Sequence, residues 1–202
     1  MPTGRRKRRG DVHRDGDWHA ALHIWVGGLD EQGRPFVLLQ RRSKTKDTWP
    51  GALDVAVGGH FRAGETLADT AREAEEEIGL QVSAESLVRL GRRFAYATAV
   101  PDNELQEAFA FRSDRPLESY RLHPDEVDAV VQLPLEAALA LFEGRSATVQ
   151  GLELPRGGGE RRTVMIAVED FAAGDRDGYP ALALRGLADV LAGRAPAPFE
   201  LR

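Results

Sequence analysis

The chain has 202 residues with 27 basic and 32 acidic side chains, a formal charge of -5 and 42% hydrophobic residues. That composition suits a globular domain with a full core, and no apolar run approaches membrane-spanning length. The absence of cysteine excludes disulfides, thiolate metal sites and thiol nucleophiles. With no secretory signal pattern in view, the expectation is a cytoplasmic protein without a membrane partner.

The chain opens on Arg5-Arg6-Lys7-Arg8-Arg9. The remainder is acidic and shows no basic surface interleaved with aromatics. Residues 1–10 therefore read as a flexible, solubilising tail, and a nucleic-acid polymer is not an expected partner. A single domain is expected over residues 11–192. Ala21 to Val26 and Phe36 to Arg42 read as strands joined by a turn at Asp30-Glu31-Gln32-Gly33, an antiparallel pair. Asp54-Val55-Ala56-Val57 is a short strand running into a glycine loop at Gly58 and Gly59. Val88 to Ala97, Ala108 to Arg112 and Val127 to Val131 are further strands, and Pro134 opens a helix reaching Phe142. Beyond Gly144 the pattern weakens, and residues 145–192 read as a divergent elaboration. Within it, 152–159 is a turn or exposed loop, Val164 to Val168 a strand and Pro180 to Leu191 a helix. Residues 193–202 read as a tail. This order of elements predicts an α/β fold, a mixed sheet between helices in an α/β/α arrangement.

The densest chemistry follows the glycines. Leu67, Ala71, Ala74 and Ile78 keep helical spacing and would face a core, while Glu73, Glu76 and Glu77 share another face at i, i+3 and i+4. Thr66 and Asp69 form a capping box at the start, and Gly79 ends the helix. Three carboxylates on one patch repel each other unless a cation neutralises them. Oxygen ligands at that density suit Mg2+ or Mn2+, which commonly reach substrate through phosphate oxygens. Arg41, Arg42, Lys44 and Lys46 are candidate phosphate contacts, and strand alternation sends Arg41 and Arg42 to opposite faces. Trp18, Trp25, Trp49 and Tyr96 are candidates either to stack on a base or to fill the core; Trp49, beside Pro50-Gly51, reads as structural.

Gly59, Glu65, Arg72, Glu73, Ala74, Glu76, Glu77, Gly79 and Leu80 together resemble the signature box of the Nudix hydrolase superfamily. That pattern runs glycine, five residues, glutamate, seven residues, then Arg-Glu-apolar-any-Glu-Glu-any-Gly-apolar. Here only six residues separate Glu65 from Arg72. Thr66 re-capping a shorter helix is the expected accommodation. Residues from about 10 to 135 also resemble the subgroup related to isopentenyl-diphosphate isomerase. The likeness is carried by VHRDGDWHA at 12–20, LLQRRSKTKDTWPGALD at 38–54, the Gly59-His60 step and Asp102-Asn103-Glu104. His13, His19 and His60 stand where that subgroup places histidines, and Asp102 and Glu104 where it places acids. Gly58 occupies the position of the isomerase cysteine, so proton transfer by that route is not expected.

The resemblance implies a hydrolase acting on a nucleoside diphosphate linked to another moiety, or on a related organic diphosphate, with Mg2+ or Mn2+ bound by Glu73, Glu76 and Glu77. Arg72 would orient those carboxylates. Glu77, Glu104 and Glu107 are the candidates for general base or extra ligand. Arg41, Arg42 and Lys46 would meet the diphosphate, and Gly58, Gly59 and Glu65 shape the loop. The family's nucleotide hydrolases manage with carboxylates alone, so no histidine is assigned as a ligand. A homodimer stays open. Two other readings also stay open: a non-catalytic nucleotide- or effector-binding module, and the disfavoured isomerase.

Overall fold

A computed structural model of the chain describes residues 6–97, 102–172 and 177–202; of Ala97 and Asp102 it describes the backbone alone. Arg5 lies outside the described residues. Helix α1 (Arg9–Asp15) takes up the end of the basic run and is closed by Gly16 at φ 66°. Strand β1 (His19–Leu29) extends the expected strand at both ends. The turn to β2 (Pro35–Arg42) is fixed by Asp30, whose Oδ1 accepts from the backbone N–H of Gln32 and Arg34. β1 and β2 pair antiparallel, as expected.

The strand expected over 54–57 is two strands pivoting at Ala56. β3 (Leu53–Val55) pairs with β2, and β4 (Val57–His60) pairs with β1. Gly58 and Gly59 therefore lie inside a ladder rather than in a loop. Close packing calls for glycine at 59, where a Cβ would stand 2.8 Å from Glu73 Cγ. The acidic helix is likewise divided, into α2 (Leu67–Ala71) and α3 (Glu73–Ile78). Thr66 caps α2 through a reciprocal capping box with Asp69, and Gly79 closes α3 at φ 67°.

Then follow β5 (Val88–Ala97), β6 (Asp102–Arg112), β7 (Val127–Pro134) and α4 (Leu135–Phe142). β6 begins six residues earlier than expected, so Asn103, Glu104 and Glu107 are strand residues. β8 (Val149–Pro155) and β9 (Arg162–Ile166) form a hairpin where a turn was read over 152–155; the glycines at 157–159 make its turn instead. α5 (Tyr179–Leu191) matches the expected last helix, with Pro180 in its first turn. β10 (Phe199–Leu201), in the segment read as a tail, pairs parallel with β5.

Among the described residues the ten strands make one mixed sheet, ordered β10-β5-β6-β1-β2-β7-β8-β9, with β3 on β2 and β4 on β1. Each face carries its own core, which realises the expected α/β/α fold. One core packs Trp25, Val37, Leu39 and Val131 against α4 and α5. The other packs Leu22, Ile24, Val26 and Leu38 against Ala74 and Ile78 of α3. Odd residues of β1 thus serve one face and even residues the other. Among the described residues no helix is long and apolar enough to cross a membrane.

β10 closes over Gly91, where an added Cβ would lie 2.3 Å from the Phe199 carbonyl oxygen. Gly91→Ala should displace β10 and cost about 1–3 kcal/mol. Hydrogen exchange would show it as lost protection confined to 199–201 and the facing part of β5; unchanged protection would show that β10 is not docked there.

Candidate active site

Glu73, Glu76 and Glu77 share α3 but meet three environments. Glu77 is 8% exposed, and its Oε2 accepts from the Gln40 amide at 3.1 Å and from the Gly58 backbone N–H at 3.4 Å. Burial raises this carboxyl to about 8; the Gly58 and Gln40 hydrogen bonds oppose the rise, and the Glu73 charge adds to it. Glu73 lies against Gly59, and burial followed by the Glu76 charge raises its pKa as well. Glu76 faces outward, 3.3 Å from Arg72 Nε. Arg72 also reaches Glu65 Oε1 at 3.0 Å, while Glu65 Oε2 accepts from the Arg62 N–H at 2.8 Å. The guanidinium therefore ties the loop glutamate to the helix despite the shorter spacing.

A second cluster forms on the opposite face of the sheet. His13 comes from α1, His19 opens β1 and His60 ends β4, with ring centroids 5.0, 5.1 and 5.9 Å apart. Strand register sets Ala21 opposite His60 and His19 opposite Glu104. His60 Nε2 meets Glu104 Oε1 at 2.8 Å, and His19 Nε2 stands 3.7 Å from the same oxygen. Gln106 Nε2 donates to the other oxygen at 2.7 Å. Burial works to raise the Glu104 pKa, but His19 and His60 outweigh it and hold the carboxyl well below the usual range. Because Gly59 faces Glu73, alternation along β4 sends His60 to the other face, so the sheet stands between the clusters.

The remaining candidates are spread around these two centres. Glu107 points away from Glu104 on β6 and is paired with Arg89 at 3.2 Å and Arg92 at 2.9 Å. Arg41 binds the fully buried Glu153 at 2.6 Å, where Arg162 joins it. Arg42 forks between Asp54 and the Thr48 carbonyl, and Lys46 pairs with Glu126. Arg41, Arg42 and Lys46 thus each carry an acidic partner. Trp25 is core, whereas Trp18, Trp49 and Tyr96 are exposed. Trp49, read as structural, is 49% exposed and sits in the left-handed region at φ 51°. The side chain of Asp102 lies outside the described residues.

Among the described residues, the side chains that offer metal donors within 4.8 Å of one another in a group of three or more are His13, His19 and His60. This set could coordinate a divalent cation, and it is one that the sequence reading did not assign. The one signal for it in the sequence was the resemblance of those histidine positions to the expected isomerase-like pattern. Imidazole nitrogens beside a carboxylate suit a first-row ion such as Mn2+ better than Mg2+, which prefers oxygen alone. Gln40 and Gln106 were also missed. Gln40 breaks the alternation of an otherwise apolar strand face, the mark of a buried polar partner, whereas Gln106 follows Glu104 on a polar stretch and carried no such signal.

Residues 21–152 match the family model of the NUDIX domain. An uncharacterized Nudix hydrolase of Clostridium acetobutylicum is 29% identical over 190 residues, which cover 91% of this chain and 91% of that protein. Nudix hydrolase 3 of Arabidopsis thaliana is 37% identical over 142 residues, 66% of this chain, so the chain spans only 18% of the plant protein. Among solved structures, a C. elegans Ap4A hydrolase binary complex shares the fold with a TM-score of 0.53. It is 17% identical over 87% of this chain and 98% of that one. His13 and His19 precede the matched region, and α5 and β10 follow it.

The Glu77 environment has a measurable consequence. A carboxyl raised from its ordinary value to about 8 holds its proton in the folded state after the unfolded chain has released it. Stability of the metal-free protein should therefore be fullest below about pH 4.5 as far as this group is concerned, and decline as pH rises towards 8. Glu77→Gln should flatten that decline in thermal melts with chelator present. An equal slope in both proteins would show that Glu77 ionises normally.

Proposed function

This chain belongs to the Nudix family, and on that premise we propose that it is a metal-dependent hydrolase of an organic diphosphate. The substrate class is a nucleoside diphosphate linked to a second moiety, or a chemical relative, with water attacking phosphorus. The observation that carries this reading is Glu77. It is a buried carboxyl whose hydrogen-bond donors are neutral, on the helix that also bears Glu73 and Glu76.

Glu73, Glu76 and Glu77, which point apart in this structure, would have to turn together to hold Mg2+ or Mn2+, and the histidine set with Glu104 would hold Mn2+. Bound metal supplies Lewis acidity at phosphate oxygens and a more acidic water. The protein groups then have separate tasks. Glu77 is the candidate on this face to take a proton from the attacking water, because its carboxyl is enclosed and held by Gln40 and the Gly58 N–H. Gln40 and the Gly58 N–H fix the carboxylate oxygen that they bond. Arg72 holds Glu76 and Glu65 in place rather than meeting substrate. Arg42, Arg41 and Lys46 would have to exchange their acidic partners for phosphate oxygens, a swap open to the more exposed Arg42–Asp54 and Lys46–Glu126 pairs but costly at buried Glu153.

The histidine cluster favours a second reading, in which the reacting group is bound on the α5 face and Glu104 is the acid–base residue. Isomerase chemistry there lacks a side chain at Gly58 to move the second proton.

A mixed panel of nucleotide and isoprenoid diphosphates with Mg2+ or Mn2+, with products resolved by mass, separates these readings. Glu77→Gln should lower kcat by about 10^2–10^4-fold, while His60→Ala leaves Mg2+-supported turnover within a few-fold. Loss on His60→Ala with Glu77→Gln active would move the chemistry to the histidine face. Ligand binding without any turnover would make the protein a binding module.

A further inference from the structure

α5 lies beyond the matched family region, yet its start connects to the histidine site through a chain of polar contacts. Its first residue, Tyr179, is buried on the sheet face that carries the histidines. The Tyr179 hydroxyl accepts from Trp25 Nε1 at 3.1 Å and shares a second hydrogen bond with His23 Nδ1 at 2.9 Å. The Arg93 guanidinium lies 4.9 Å from the centre of the Tyr179 ring, and its Nε donates to Asp177 Oδ2 at 2.6 Å. Arg93 Nη1 also reaches Gln106 Oε1, at a long 3.5 Å, and Gln106 Nε2 donates to Glu104 Oε2 at 2.7 Å.

These contacts have one workable polarity. A guanidinium only donates and a carboxylate only accepts. Gln106 must therefore turn its oxygen to Arg93 and its nitrogen to Glu104. A flipped amide would set like groups against each other at both ends. With Oε2 engaged by Gln106, the Oε1 atom is the one presented to His60 and His19. Arg93 is in turn held from two sides, by charge at Asp177 and by the ring of Tyr179.

We propose that Arg93, clamped by Asp177 and Tyr179 of the C-terminal segment, is a positioning residue that orients the Glu104 carboxylate through Gln106. The histidine–carboxylate set is then complete only with this segment docked. The proposal rests on the reading that the set holds a divalent cation. Groups that orient a metal ligand from behind are worth about 10–100-fold in affinity, which fixes the scale of the effect.

The test is calorimetric titration of Mn2+ into the full chain, for wild type, Arg93→Leu, Gln106→Leu and the double variant. Arg93→Leu should weaken binding about 10–100-fold, and should add nothing further once Gln106→Leu has cut the link. An equal loss in both backgrounds would mean that Arg93 only supports the fold, and would overturn the proposal; so would an unchanged Mn2+ affinity in Arg93→Leu. Should Arg93→Leu fail to fold, Arg93→Lys takes its place, because an ammonium keeps the Asp177 charge pair but cannot also span to Gln106. His60→Ala decides the underlying reading separately. If it leaves wild-type Mn2+ binding untouched, the cation is held elsewhere and both inferences fall.

Discussion

Strand alternation along β1 is the constraint on which the molecule turns. β1 pairs with β2, β4 and β6, so its register sets the faces of three neighbours at once. Leu22, Ile24 and Val26 go to the face covered by α3, while His19, His23 and Trp25 go to the face covered by α5. A slip of one residue would invert every one of these assignments, exposing apolar side chains and burying the wrong polar ones. The same parity runs through β4, where Gly59 and His60 are adjacent in sequence yet belong to different clusters. Two chemically distinct centres are therefore built from one short stretch of chain, one on each face of the sheet.

Burial is tolerated differently by the three enclosed carboxylates, and the difference tracks the charge of their partners. Glu153 has no exposed surface and is met by two guanidinium groups, Arg41 and Arg162. Glu104 is met by imidazoles and an amide, and its ionised form is favoured. Glu77 has only an amide and a backbone N–H to offset its burial, so the proton is retained. Removing a carboxylate from water costs several kcal/mol unless charge and hydrogen bonds return it. Glu153 is accordingly suited to joining β2, β8 and β9. Glu77 is the carboxyl left poised to exchange a proton or meet a cation.

What was legible in the sequence follows from whether the signal was local. The acidic helix of α2 and α3, its capping box at Thr66 and its closing glycine could be read because each depends on spacings below five residues. Strands with apolar alternation, such as β1, β2 and β7, were readable for the same reason. The first half of β6 was not, because its inward positions hold Glu104 and Gln106 and its pattern looks polar throughout. β10 was hidden because three residues with one outward side chain carry no periodicity; its pairing with β5 depends on Gly91 leaving room. The histidine cluster needs α1, β1, β4 and β6 in register at once, and register is a property of the assembled sheet rather than of any segment. The carboxylates were expected to converge because helical spacing puts them near each other. Spacing does not say which way a side chain leans, and Gln40 draws Glu77 inward while Arg72 draws Glu76 out.

The shortened interval between Glu65 and Arg72 shows how a local deletion can leave distant geometry intact. Removing one residue from a continuous helix would rotate everything before it by about 100° relative to everything after. The chain avoids that by not being continuous. α2 ends at Ala71, and Arg72 starts a new helix, with its carbonyl accepting from the N–H groups of both Glu75 and Glu76. The rotational phase of α3 is then set by its own packing, Ala74 and Ile78 inward and Gly79 as its stop, and not by α2. Thr66 and Asp69 cap the shorter segment independently. What must still cross the break is the tie between the loop and the carboxylates, and the long Arg72 side chain spans it, reaching Glu65 on one side and Glu76 on the other. A break at this arginine thus preserves the acidic face, where the same deletion inside an unbroken helix would have turned it away from Gly59 and Gln40.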